Sequence, residues 1–190
     1  MTLGEVRPSE DGLIEKAQSG DRAAFSELVR LHQDEVFTLA TRLVGDRELA
    51  ADVSQEALIR AWRALPEFRG EAKFSTWLHR IVVNAAWTQR RRQKRHVTSP
   101  ITEIYQEPVA TDAGPMDLAT VSAMRPRLLE ALRELSPSVR AVVVLKDIYD
   151  WPHNAIAEHL GITTTAAKVR LHRGRKRLHD LLWEELGGAE

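Results

Sequence analysis

The sequence predicts an all-α protein: two small helical domains joined by a flexible linker, the C-terminal one containing a helix-turn-helix. Three observations predict it. Apolar residues recur at steps of three and four through most of the 190 residues, the period of an amphipathic helix. No segment alternates cleanly as a half-buried strand does. The run Val142-Val143-Val144-Leu145 has strand-like composition, but it lies inside a helical pattern without turn signals and reads as buried helix. Residues 97–117 lose the periodicity and carry Pro100, Pro108, Gly114 and Pro115, a structureless stretch too long for the inside of one compact domain. The expected division is therefore residues 1–96, a linker at 97–117, and residues 118–190.

The elements follow in order. A short helix is expected over Leu13–Ser19. Asp21 can accept hydrogen bonds from free backbone N–H groups and start a longer one. Phe25, Leu28, Val29, His32, Val36, Leu39, Ala40 and Leu43 form its apolar stripe, and Gly45 ends it. Asp46 can cap the next helix, with Val53, Ala57, Ala61 and Leu65 inward and Pro66 as its stop. Residues 67–74 read as a loop containing Gly70. Ser75 or Thr76 can cap a helix that buries Trp77, Leu78, Ile81, Val82 and Ala85. Beyond the linker, a helix over Ala119–Leu135 contains Pro126. Ser136-Pro137 is a start signal for a helix reaching about Ile148. After the connector Tyr149-Asp150-Trp151-Pro152 come a short helix His153–Leu160, a turn at Gly161-Ile162, and a long helix from Thr164 to Leu186 that Thr163 or Thr164 can cap.

Charge is distributed in blocks. The 27 basic and 27 acidic residues cancel to a formal zero. Yet residues 90–95 read Arg-Arg-Arg-Gln-Lys-Arg, and Lys168, Arg170, Arg173, Arg175, Lys176 and Arg177 form an acid-free run. Residues 97–124 hold Glu103, Glu107, Asp112 and Asp117 with no Lys or Arg. Phosphates respond to a local cluster, whatever the sum. Either cluster alone reads equally as a solvated helix face.

Other function classes find little support. The 43% hydrophobic content is too high for a disordered chain. With no cysteine there is no disulfide scaffold, thiolate metal site or cysteine nucleophile, which fits a reducing cytoplasm. The seven histidines are scattered: His153 with His159, and His172 with His179, share no i, i+4 face, so no metal site is expected. Neither a G-x-x-x-x-G-K nor a G-x-S-x-G motif occurs, and no catalytic residue or cofactor is expected. No apolar run approaches the roughly 18 residues of a membrane span, and the N-terminus has no apolar signal core.

The segment 153–177 carries most. Ile156, Ala157 and Leu160 give a small packing face, Gly161 permits a tight turn, and a second helix starts within four residues. This is the helix-turn-helix layout, whose second helix enters the major groove. A plain helical hairpin has the same spacing. The composition of the second helix separates the two: Leu171, Leu178 and Leu182 lie opposite Thr164, Thr165, Lys168, His172 and Arg173, residue types that contact phosphates and base edges.

Two further motifs extend the reading over nearly the whole chain. The first is Asp52-Val-Ser-Gln55-Glu56-Ala-Leu-Ile-Arg60-Ala-Trp62, followed by Phe74-Ser-Thr-Trp77-Leu-His-Arg80-Ile-Val-Val-Asn84. The second is Leu135-Ser-Pro-Ser-Val-Arg140, then Ile156-Ala157-Glu158-His-Leu160-Gly161, then Lys168-Val-Arg170-Leu-His172-Arg173-Gly-Arg175. With these motifs in this order the chain resembles the extracytoplasmic-function (ECF) sigma factors, the minimal sigma subunits of bacterial RNA polymerase.

The resemblance implies a role for each group. Asp52, Gln55, Glu56 and Arg60 look like the helix face that docks on the clamp helices of core polymerase. Read alone, Asp52 and Glu56 share a face and are either a solvated polar surface or an acid–base pair without pocket residues. Lys73, Phe74, Trp77, Arg80 and Asn84 look like the −10 element reader, with Arg90 and Arg91 following the phosphates; Trp77 also fits a core role, and Phe68 reads as core. Melting needs aromatic faces for an unstacked base and cations for its backbone. Thr164, Thr165, Lys168, Arg170, His172, Arg173 and Arg175 look like the −35 reader. Two positions depart from the family pattern: Thr88 stands where Asp is frequent, and Thr165-Ala166-Ala167 stands where Gly-Thr-Val is frequent.

The resemblance also implies partners: core RNA polymerase, promoter DNA and an anti-sigma factor, in the cytoplasm and without membrane insertion. The acidic linker reads either as an RNA mimic in the polymerase's polyanion path or as a plain tether. The alternative function is a stand-alone helix-turn-helix transcriptional regulator that binds duplex DNA, and a pure protein-interaction module is a third class.

Overall fold

The computed structural model describes residues 9–96 and 118–187, so the linker at 97–117 with its four acids lies outside the described residues. Among the described residues there is no strand. They group into two compact units: one takes residues up to Thr41 with Arg47–Ala86, the other Arg42–Asp46 with everything described from Trp87 onward.

In the first unit, helix α1 (Glu10–Gln18) starts earlier than the sequence suggests, because Ser9 caps it. Its hydroxyl accepts from the Gly12 N–H at 3.3 Å, and Glu10 and Asp11 suit the positive end of the helix dipole. Leu13, Ile14 and Ala17 are its buried face. Asp21 caps α2 (Arg22–Val44) as expected, its carboxylate accepting from Ala23 and Ala24 N–H at 2.8 and 3.1 Å. Leu28, Val36, Leu39, Ala40 and Leu43 are buried along one stripe, and Gly45 ends the helix at φ 75°. Helix α3 (Arg47–Ala64) turns small residues inward. Ala50, Ala57 and Ala61 are fully buried, which lets it approach its neighbours closely. A 3₁₀ turn follows at Leu65–Glu67, with Pro66 in its first turn, where a missing N–H costs nothing.

Helix α4 (Phe74–His96) begins before Ser75, not after it: the Lys73 carbonyl already accepts from the Trp77 N–H at 3.1 Å. Leu78, Val82, Val83, Ala85 and Ala86 are buried on it. An ionisable cluster joins the first unit's helices. His32 on α2 and His79 on α4 are both buried, and the Glu35 carboxylate lies 2.9 Å from His79 Nε2 and 3.8 Å from His32 Nδ1. Glu10 of α1 reaches His32 Nε2 at 3.3 Å. Burial holds the His79 pKa down, and Glu35 opposes that shift.

In the second unit, α5 (Leu118–Glu134) tolerates Pro126 within it. Helix α6 (Pro137–Val143) starts at the Ser136-Pro137 signal, with the Ser136 carbonyl accepting from Arg140 N–H at 2.8 Å. The Arg140 guanidinium donates to the Arg133 and Leu135 carbonyls at 2.9 and 3.1 Å, closing the end of α5. The expected helix to Ile148 does continue, but it widens into a π-helical segment at Val144–Ile148. Val142, Val144 and Leu145 are fully buried, as the strand-like run requires if it is helix. Helix α7 (His153–Leu160) and helix α8 (Thr164–Gly187) complete the unit.

Candidate nucleic-acid interface

The turn between α7 and α8 fixes the first candidate surface. Gly161 adopts φ 65°, ψ 41°, the left-handed conformation that a side chain disfavours. That conformation lets Ile162 N–H reach the Ala157 carbonyl at 3.0 Å. Thr163 then caps α8: its hydroxyl accepts from Ala166 N–H at 3.1 Å, and its carbonyl accepts from Ala167 N–H at 3.0 Å. Ala167, Leu171, Gly174 and Leu178 form the buried face of α8, at steps of three and four. Its opposite surface is basic. Thr164, Thr165, Lys168, Lys176 and Arg177 are exposed, and Arg170, His172 and Arg173 are partly exposed. Helical periodicity puts Thr165, His172 and Lys176 at the centre of that surface, with Lys168 and Arg175 on one edge and Arg170, Arg173 and Arg177 on the other.

Arg175 is held by an acid on another element. Its Nε and Nη2 donate to the two oxygens of Asp147 at 3.1 and 2.5 Å, so a carboxylate already holds this guanidinium. Asp147 lies on the π-helical segment. No sequence signal marks the pair, whose members are 28 residues apart.

The second surface lies in the first unit, where the loop after the 3₁₀ turn meets α4. A cleft of about 260 Å³ is lined by Glu67, Phe68, Arg69, Glu71, Ala72, Trp77 and Arg80. Gly70 shapes the loop at φ 72°. The Phe68 ring lies 5.1 Å from that of Trp77 and 5.8 Å edge-on from that of Phe74. Phe74 corrects the expectation of a base-facing ring. It is only 5% exposed, packed on His32 at 5.2 Å and Trp77 at 5.4 Å, because it starts α4 on the inward face. Phe68, read from the sequence as core, is partly exposed and lines the cleft instead.

Trp77, Arg80 and Asn84 follow one another at i, i+3, i+7 along α4, with Arg91 a further seven on; Arg80, Asn84 and Arg91 are exposed. Lys73 is exposed at the loop's end. Arg90 is partly buried, and burial lowers its pKa to about 10, so it is not a free surface cation. The cleft thus combines aromatic walls with two guanidiniums and two carboxylates, Glu67 and Glu71, so its lining is formally neutral and its aromatic walls are what suit a flat ring. The sequence alone did not bring forward Glu67, Arg69 or Glu71, which are ordinary loop charges until the loop closes round the cleft.

On α3, Asp52 and Gln55 are exposed beside Glu56 and Arg60, which form an ion pair at 2.8 Å. Ile59 is exposed between them at 41%. The group is a polar surface with an apolar residue in it, suited to docking. Among the described residues no cluster of His, Asp and Glu has a geometry that would hold a metal ion, and no helix is long and apolar enough to cross a membrane.

Residues 28–96 match the family model for sigma-70 region 2, and residues 125–178 match that for sigma-70 region 4. The ECF RNA polymerase sigma factor SigE of Mycolicibacterium smegmatis is 36% identical over 182 residues, covering 93% of this chain and 70% of that protein. SigM of Mycobacterium tuberculosis is 36% identical over 179 residues, covering 94% of this chain and 87% of that one. The solved structure of the sigma factor RpoE with the anti-sigma factor NepR from Bartonella quintana is similar at TM-score 0.58 and 25% identity, over 83% of this chain and 96% of that chain. With both regions matched in order, and ECF relatives 36% identical over 93–94% of this chain, the chain belongs to the ECF sigma factors of bacterial RNA polymerase.

Proposed function

We propose the following division of labour for a chain that, as an ECF sigma factor, directs RNA polymerase to promoters. The domain of residues 1–96 docks on core polymerase through Asp52, Gln55, Glu56 and Arg60. The same domain takes the −10 element with Lys73, Trp77, Arg80 and Asn84, and Arg91 follows the phosphates. The domain of residues 118–190 reads the −35 element with Thr164, Thr165, Lys168, Arg170, His172 and Arg173, while residues 97–117 tether the two. Phe74 supports the cleft from the core, and Arg175 engages DNA only by leaving Asp147. The protein works in the cytoplasm beside polymerase, as a specificity subunit and not an enzyme. An anti-sigma factor holds it inactive, as the Bartonella quintana sigma factor is described in complex with one.

The observation that carries the −10 assignment is the cleft, with the Phe68 and Trp77 rings 5.1 Å apart and Arg69 and Arg80 beside them. Base stacking on an aromatic side chain contributes about 1–3 kcal/mol. Trp77→Ala in the reconstituted holoenzyme is therefore expected to lower open-complex formation on duplex promoter by about 5- to 150-fold, with core affinity unchanged. Lys168→Ala with Arg173→Ala is expected to weaken promoter binding before melting. Equal promoter opening by wild type and Trp77→Ala would remove the −10 assignment.

A further inference from the structure

Gln18 ends α1, about fifty residues before the cleft, and is not among the residues that line it. Its side-chain amide nitrogen nevertheless donates to the Phe68 carbonyl at 2.7 Å and to the Leu65 carbonyl at 3.2 Å. These carbonyls lie where the 3₁₀ turn passes into the loop of the cleft. A primary amide has two N–H donors, and each meets one carbonyl. The Phe68 carbonyl is also one bond from the Cα that carries the cleft's Phe68 ring. Fixing it fixes where that ring stands against Trp77. The Phe68 N–H also donates to the Leu65 carbonyl at 3.0 Å, so that carbonyl accepts from both the turn and Gln18, whereas the Phe68 carbonyl accepts from Gln18.

We propose that Gln18 is a positioning residue for base capture: it holds the Phe68 backbone so that the cleft lined by the packed Phe68 and Trp77 rings keeps its shape for an unstacked base of single-stranded DNA. This rests on the reading of the cleft as the −10 base site. The benefit is preorganisation. A loop that had to order on binding would lose affinity for the base without losing any contact to it.

The test uses the full chain in reconstituted holoenzyme. The probe is a single-stranded DNA decamer enriched on the wild type from a randomised pool, with ten derivatives that each lack one base. Gln18→Ala removes the donors, and Gln18→Met removes them while keeping the length of the side chain. Wild type is expected to lose about tenfold in affinity when one particular base is missing. Both variants should bind the intact decamer about three- to tenfold more weakly than wild type, and should bind the derivative lacking that base as wild type does. Their core affinity should match wild type, and any fall in thermal midpoint should leave both variants folded at the assay temperature and leave binding of the derivative lacking that base unchanged. If no missing base matters to wild type, the cleft reading fails and takes the proposal with it. If one base matters but both variants bind the intact decamer normally, the cleft stands and Gln18 does not position it. Equal weakening on every decamer, or a midpoint so low that both variants unfold at the assay temperature, makes Gln18 a general structural residue and overturns the proposal.

Discussion

Replacing Gly174 by alanine pits two well-understood effects against each other. Gly174 lies on the buried face of α8, where that helix meets α6. A Cβ there would sit 2.3 Å from Val143 Cγ2 and 2.8 Å from Val139 Cγ1. Glycine to alanine inside a helix gains about 1 kcal/mol of helix propensity. Against it stands overpacking, typically about 1–3 kcal/mol. The upper part of that range applies. The 2.3 Å approach is over an ångström inside ordinary contact, Val143 is only 3% exposed, and β-branched valines have few rotamers to escape into. The net expectation is destabilisation by about 1–2 kcal/mol. For a domain of 60–100 residues each kcal/mol lowers the melting midpoint by roughly 4–8 °C. Calorimetry on the full chain, with amide exchange read on α6 and α8, measures it. Val143→Ala makes room, so the two substitutions should couple favourably by about 1–2 kcal/mol in a double-mutant cycle. A Gly174→Ala variant more stable than wild type, or strictly additive with Val143→Ala, would refute the close approach of α8 to α6.

Three further outcomes are expected. Asp147→Ala frees Arg175 for a phosphate, so log K for −35 duplex against log salt should steepen by about 0.9; an unchanged slope means Arg175 does not reach DNA. Thr163→Ala removes the α8 cap and should cost about 0.5–2 kcal/mol, read as faster exchange at the Ala166 amide and weaker −35 binding; an unchanged exchange rate counts against the cap. His79 has its pKa lowered by burial, so the unfolded chain binds its proton more readily than the folded one. Stability should therefore fall as pH drops through the ordinary histidine value near 6.5 and below it. His79→Gln should flatten that fall in pH-dependent urea unfolding of the first domain, and an unflattened fall points to other groups.

What the sequence made legible is what short-range chemistry marks. Asp21 and Gly45 bound α2, and Pro152, Gly161 and Thr163 bound α7 and the start of α8, because caps and positive φ leave a residue-type signature. The acid-free basic run of α8 showed its exposed face for the same reason. The π-helical segment was invisible, since Val142 to Leu145 are all buried and a widened turn does not alter an unbroken apolar run. The inward turn of Phe74 was hidden because α4 begins one residue before the expected Ser75 or Thr76 cap, which rotates its first ring onto His32. Gln18 with Phe68, Glu35 with His79 and Asp147 with Arg175 are pairings across long separations. Nothing periodic announces them, and only the fold brings them together. The formal zero charge was a poor guide to partners, because its basic and acidic blocks lie in different segments.

Run-off transcription by purified core polymerase, with and without this chain, on a library of bacterial genomic fragments measures whether the chain directs polymerase to promoters. A sigma factor yields transcripts from a defined set of start sites that share −35 and −10 elements, present only when both proteins are added and lost with Lys168→Ala plus Arg173→Ala. Tight, sequence-specific protection of duplex DNA by the chain alone, with no transcript from added core enzyme, would contradict that role and favour a stand-alone regulator.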